Sequence, residues 1–319
     1  MNQGDDERAK RLRNRVAAAA AIGALAVLFL GPGVRAAPAE GEHAHRPAQR
    51  IVSLAPSVTE MLFGLGLGDR IVGATDHCDF PPEAKKIARV GGLGRPNVER
   101  LLSLAPDIVI ATDFERKDLA EALRRDGIQV LELKIGNFAE LFDAERKLGD
   151  ALGEPQQAAR QVHEMQTRLD RAAQLYAGVP RDRLPRVFIE VWFDPLITAG
   201  GRSFLDDVIA RAGGVNVAHD LERDYPTINP EKVVEWNPDV ILLCYMTEAK
   251  DAAAQVAGRI GWGGVKAVRE RRIIADISSD ALLRPGPRLV AGVEALAERL
   301  HPPQPGEAVP PMPENAPEK

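Results

Sequence analysis

Cysteine is scarce in this chain: Cys78 and Cys244 are the only two in 319 residues. One pair over so long a span assigns no disulfide by itself. Two readings stay open, a bond that locks the two halves together in an oxidising compartment and two independent buried thiols. Enzyme signatures are missing as well. There is no Gly-x-Ser-x-Gly elbow, no Walker loop and no His-Glu-x-x-His zinc motif, which leaves only a nucleophile assembled in space from distant residues. Basic charge is not in excess: 41 basic against 46 acidic residues give a net charge of −5, which disfavours a nucleic-acid partner. Aromatics are few, with three Trp and three Tyr. No apolar run reaches the ~20 residues of a membrane span; the run over 16–30 has 15.

That run follows Arg8, Lys10, Arg11, Arg13 and Arg15, and Val34-Arg35-Ala36 then supplies small residues at the −3 and −1 positions of a cleavage site. Residues 1–36 therefore read as a signal peptide cleaved after Ala36, with an uncleaved anchor as the alternative. No cysteine stands near the junction, which excludes lipid attachment there. The expected product is a free periplasmic protein, more acidic than the whole chain, with 35 basic and 43 acidic residues and a charge of −8. Residues 37–49 are a flexible lead-in whose His43 and His45 read as solvated. The proline-rich stretch 302–319 cannot pack a core and is expected to be disordered.

What the chain does have is a stretch stated twice. Asn97-Val98-Glu99-Arg100-Leu101-Leu102 runs through Ala105-Pro106-Asp107 into Ile108-Val109-Ile110, and Asn229-Pro230-Glu231-Lys232-Val233-Val234 runs through Asn237-Pro238-Asp239 into Val240-Ile241-Leu242. Every matched position is offset by 132. Each copy reads as a short helix with Asn as N-cap and Glu in the first turn, broken by Pro-Asp and followed by a buried strand. The chain is thus an α/β protein of two lobes: 50–138, then linking helices over 139–181, then 182–301.

Around the repeat, the first lobe is expected to carry strands at 50–54, 70–74, 108–111 and 128–133. Ser57-Val58-Thr59-Glu60 matches a capping box, and Gly64, Gly66 and Gly68 mark the loose end of its helix. A glycine-rich loop covers 90–96 and an amphipathic helix 117–126. Residues 139–176 are helical, interrupted at Gly149, Gly153 and Pro155; the piece opening at Pro155 would span ~33 Å and act as a strut that limits lobe movement. The second lobe is expected to have strands at 186–191 and 272–276 and helices at 203–212, 252–258 and 288–300.

Ligands of open α/β sheets sit beyond the carboxyl ends of the strands. The loops there hold Asp76 to Phe80, Thr112-Asp113-Phe114, Trp192-Phe193-Asp194-Pro195 and Tyr245-Met246, with Tyr225 just before the second repeat. Aromatics with a few polar groups suit a large flat organic ligand. The alternative for Trp192 and Phe193 is that they cap the core of a lobe. Asp280 and Arg284 follow the last strand, to pair with each other or with a polar ligand edge. Asp76, His77, Cys78 and Asp79 offer metal-capable donors side by side, but consecutive residues rarely converge on one ion, so no metal site is assigned.

These residues resemble a family. The run from Arg50-Ile51-Val52-Ser53-Leu54-Ala55-Pro56 to Glu60 is similar to the opening of the periplasmic cobalamin, haem and siderophore binding proteins of ABC importers. Gly73, Asp79-Phe80-Pro81-Pro82, Asn97-Val98-Glu99-Arg100, Leu104-Ala105-Pro106-Asp107, Phe188, Thr198-Ala199-Gly200-Gly201 and the second repeat extend the likeness over about 50–300. It implies two Rossmann-like lobes joined by one long rigid helix, no enzymatic activity, no intrinsic cofactor, and a monomer that delivers a metal-chelate ligand to a permease with its ATPase. The likeness is strongest to the vitamin B12 binders, which implies a corrinoid such as cobalamin, with haem or a ferric siderophore as alternatives. It carries ligand contacts onto Phe80, Leu93, Val191 or Trp192, Tyr225, Asp280 and Arg284, to which the loop reading adds Tyr245. Permease docking falls on Glu99 and Glu231. Leu93 and Val191 depart from the aromatics of those binders, and Trp192 stands next to the second departure. The rivals from other classes are an exported α/β enzyme using the Asp76–Asp79 loop and a non-transport adaptor that lost its ligand.

Overall fold

The apolar tails of the repeat become inner strands of two separate sheets. In the computed structural model, which describes residues 48–112, 117–245 and 251–302, the first half holds β1 (Ile51–Ser53), β2 (Ile71–Ala74), β3 (Gly91–Gly92), β4 (Arg95–Pro96), β5 (Ile108–Thr112) and β6 (Gln129–Leu133). Strands β2-β1-β5-β6 form a parallel sheet in that order, while β3 and β4 pair with each other as a small hairpin where a plain loop was expected. The second half holds β7 (Arg186–Phe193), β8 (Leu196–Thr198), β9 (Val215–Asn216), β10 (Val240–Leu243) and β11 (Ile273–Ile274). Here β9, β7, β10 and β11 are successive parallel neighbours, and β8 folds back antiparallel on β7. The two orders correspond strand for strand, with β8 as the one addition. Residues 108–111 and 240–243 are all buried, as strands covered on both faces must be.

Eleven helices of more than one turn are described: α1 (Pro56–Gly64), α2 (Val98–Ser103) and α3 (Lys117–Arg125) in the first half, then α4 (Phe138–Leu152) and α5 (Pro155–Ala173) as the link. In the second half come α6 (Phe204–Arg211), α7 (Pro230–Trp236), α8 (Ala252–Ala257), α9 (Lys266–Arg269), α10 (Ser279–Leu283) and α11 (Leu289–Leu300). Both repeat helices are capped as their sequence implies. Asn97 Oδ1 accepts the Arg100 backbone N–H at 3.0 Å, and Asn229 Oδ1 accepts that of Glu231 at 2.9 Å. The Pro-Asp ends also match: Asp107 accepts the Arg50 N–H and Asp239 the Arg186 N–H, so each carboxylate pins the entry of the neighbouring strand.

Two local expectations are corrected. The capping box at Ser57–Glu60 does not form: Pro56 starts α1, Ala55 is the cap residue, and Thr59 Oγ1 donates to Ser53 Oγ instead. Gly149 lies inside α4 and does not interrupt it; the lack of a side chain there admits α5, whose Ala158 Cβ lies 2.4 Å from where a Cβ would sit. Gly153, with φ of 80°, does end the helix.

One continuous core runs from the first sheet through α1, α4 and α5 to α11 and the second sheet, and each sheet has a further cluster on its other side. The two sheets therefore share their packing through the linking helices, and this α/β fold is two Rossmann-like lobes joined by helix α5. An Arg168–Glu294 ion pair ties α5 to α11. The expectations for 1–36, His43, His45, Asp113, Phe114, Met246 and 303–319 lie outside the described residues.

Candidate functional site

The loop leaving β2 reaches across to the second half. Phe80 is exposed at its tip and lies against the Arg288 guanidinium, 3.9 Å from ring centroid to Cζ. Arg288 in turn forms a two-pronged ion pair with Glu60 of α1, at 2.9 and 2.6 Å. Burial pushes the Glu60 carboxyl above its ordinary range, and Arg288 opposes that shift. Beside this pair, Arg284 binds Asp79 and also Asp280, the latter at 3.0 Å. The hydrogen bond from Arg284 holds the Asp79 carboxyl below its usual value. Of the residues singled out from sequence, Phe80, Asp280 and Arg284 thus come together, through partners (Glu60 and Arg288) that sequence reasoning missed. No local pattern could have revealed a pair separated by 228 positions.

In the second half, β7 runs two residues further than expected, and Trp192 and Phe193 stand on the β7–β8 hairpin rather than in a free loop. Their rings stack with centroids 5.0 Å apart, and Phe193 meets the edge of Tyr245 at 5.9 Å. Phe193 is exposed, while Tyr245 is buried beneath it in the core of the lobe. The Tyr245 hydroxyl donates to Glu190, a fully buried carboxylate that also takes both prongs of Arg259 at 2.6 Å each. Burial, then the adjacent carboxylate, push the Tyr245 phenol above its ordinary value, so the hydroxyl keeps its proton. Tyr245 supports the hairpin from below; its ring offers the surface little.

Tyr225 is held at the outer side of the same hairpin. The Thr198 N–H donates to Pro226 O and the Gly200 N–H to Asp224 O, so the segment 221–228 lies along β8. Gly200 and Gly201 are required there: a Cβ would sit 2.1 Å from Arg223 O at the first and 2.0 Å from His219 O at the second. Tyr225 is exposed. So is Leu93, on the β3–β4 hairpin, which the Asp76 N–H ties to the loop after β2 through Gly91 O. Leu93 stands in the first half of the chain and Tyr225 in the second. Leu93 and Tyr225 are nevertheless counterparts, four residues ahead of their capping Asn at the repeat offset of 132.

The donors of the Asp76–Asp79 loop point apart. Asp76 and His77 are exposed, Cys78 is buried against the Thr75 hydroxyl at 3.1 Å, and Asp79 is bound to Arg284. Among the described residues no three His, Cys, Asp or Glu side chains converge on a common point. Both thiols are free and buried, and burial pushes that of Cys244 up to about 12. This matches the reading of two independent thiols. Glu99 and Glu231 are exposed and form no ion pair among the described residues.

Comparison with known proteins agrees with this architecture. The model of the family described as "Periplasmic binding protein" matches residues 51–279. An "Uncharacterized ABC transporter substrate-binding lipoprotein YvrC" of Bacillus subtilis (strain 168) is 34% identical over 259 residues, 80% of this chain and 80% of that one. A vitamin B12-binding protein of Vibrio cholerae serotype O1 is 30% identical over 275 residues, 86% of this chain and 94% of that one. Among solved structures, the periplasmic vitamin B12 binding protein BtuF of Vibrio cholerae superposes with a TM-score of 0.68 at 30% identity, covering 80% of this chain and 97% of that one. The periplasmic heme-binding protein RhuT from Roseiflexus sp. RS-1 does so with 0.71 at 27%, covering 80% and 98%. The chain belongs to the periplasmic binding protein family, whose members are solute-binding components of ABC importers and not enzymes.

Proposed function

We propose that this protein captures a corrinoid, cobalamin or a close relative, between the lobes 50–138 and 182–301 and delivers it as a monomer to its permease. The observation that carries the reading is a pairing of features on the strand-end loops. Phe80, Leu93, Phe193 and Tyr225 leave apolar surface in water on both halves, while Arg259, Arg284 and Arg288 are each already bonded to carboxylates. A corrinoid presents a large flat face edged by uncharged amides, which suits such a surface. Haem carries two ionised carboxylates, which would compete with Asp79, Asp280 or Glu60 for these guanidiniums at a desolvation cost. Similarity to vitamin B12 binders supports the same choice. Haem or a ferric siderophore is the second reading, and similarity to a haem-binding structure favours haem within it.

Affinity would come from burial of ligand surface against Phe80, Leu93, Trp192, Phe193 and Tyr225, with Asp280 and Arg284 at the polar edge and Tyr245 beneath. Delivery needs no covalent step: the permease competes for the ligand after docking through Glu99 and Glu231. Within the linking residues 139–181, the helix opening at Pro155 acts as the strut. The test is tryptophan-fluorescence titration of wild type, Trp192→Ala and Tyr225→Ala with cyanocobalamin and haemin. Loss of about 1–2 kcal/mol of corrinoid affinity in Tyr225→Ala is expected; unchanged affinity in both variants would overturn the assignment of this surface.

A further inference from the structure

The repeat carries a feature that neither helix capping nor ligand capture uses. Among the exposed large apolar residues described, two pairs share the offset of 132. One is Leu93 with Tyr225, assigned above to the ligand surface. The other is Leu102 of α2 with Val234 of α7, 38% and 40% exposed. Each follows a residue that anchors its helix, Leu101 and Val233, both fully buried. A step of one residue turns an α-helix by about 100°, so a buried anchor at one position drives the next side chain outward. A single exposed aliphatic residue needs no explanation. Two at equivalent places on two lobes, each three residues after an unpaired glutamate and so on the same helical face, do need one.

We infer that Leu102 and Val234 are the apolar half of a duplicated docking surface, and that its occupant is a permease built from two equivalent subunits, each offering an apolar recess edged by a basic group. The inference rests on the reading of Glu99 and Glu231 as docking residues. Charge complementarity commits the occupant: the glutamates are exposed without a cation among the described residues, so a basic edge gains their attraction. Burial of Leu102 and Val234 then supplies the short-range part, since apolar area removed from water is favourable at any salt concentration. The glutamates govern encounter and orientation, and the aliphatic pair governs how long the complex lasts.

The experiment measures association of the ligand-loaded protein with the permease–ATPase complex of the same importer in lipid nanodiscs, at low and high salt. Leu102→Ser and Val234→Ser are each expected to weaken association about tenfold, mainly through faster dissociation, and together about a hundredfold. Ligand affinity should be unchanged, and Leu175→Ser, at an exposed apolar residue without a counterpart, should bind like wild type. Glu99→Ala with Glu231→Ala tests the reading beneath. If that variant loses association and its salt dependence while the double serine variant keeps wild-type affinity, the apolar role is overturned and docking through the glutamates stands. If neither variant loses association, both ideas fall.

Discussion

Glu145 lies in α4 at zero exposure, and neither of its carboxylate oxygens has a hydrogen-bond partner among the described residues. Burial alone pushes its pKa to about 8, from an ordinary 4.5, with no charged neighbour contributing. The folded chain therefore holds this proton over a pH range in which the unfolded chain releases it. Stability from this group is full below pH 4.5 and falls as pH rises, by ~1.4 kcal/mol per unit, until the folded group ionises near pH 8. Over that window the loss is about 5 kcal/mol, and at pH 7 about 3 kcal/mol. Glu145→Gln keeps the shape and cannot ionise, so its stability should match wild type near pH 4.5 and exceed it by about 3 kcal/mol at pH 7. Urea unfolding of both proteins at intervals from pH 4.5 to 8.5 reads the difference directly. Parallel stability curves would refute the reasoning, because they would mean that Glu145 binds no extra proton on folding.

Other variants probe the contacts between and within the lobes. Arg288→Ala strands the buried Glu60 carboxyl and should cost about 3–5 kcal/mol, while Glu60→Leu with Arg288→Leu should recover most of it; a double variant as unstable as the sum of the single ones would contradict the pairing. Gly200→Ala must push the 219–225 segment outward, so it should lose stability and corrinoid affinity together, whereas Gly263→Ala, whose Cβ meets nothing within 4 Å, should leave both intact. Differential scanning calorimetry and ligand titration on the pair separate a steric effect from a general loss of glycine.

The alternation of strands and helices was legible because its signals are local. Asparagine caps, a Pro-Asp break and β-branched runs each act within a few residues, and the structure follows them at Asn97, Asn229, Ile108 and Val240. Where the outcome depends on distant partners, sequence pattern misleads. Ser57 to Glu60 reads as a capping box, yet Glu60 is drawn to Arg288 from the far end of the chain and Pro56 opens the helix two residues earlier than that box implies. Trp192 and Phe193 look like loop residues because Asp194-Pro195 follows them, but they pair with Ile197 and Leu196 across the hairpin. Tyr245 looks like a surface aromatic, and its burial goes with the bond to Glu190, 55 positions before it, a carboxylate that is itself held by Arg259 from 69 positions away. The glycines at 200 and 201 were visible as a motif; their reason, two carbonyl oxygens within 2.1 Å, exists only in three dimensions.

The central claim is that the loops of both lobes hold an uncharged, amide-edged chelate. Calorimetric titration of the protein with cyanocobalamin, cobinamide, haemin and a ferric siderophore tests it most directly. The account predicts one-to-one binding of a corrinoid with a dissociation constant below about 1 μM, and haemin weaker by at least about tenfold. Tight binding of haemin or the siderophore with no heat from either corrinoid would contradict it.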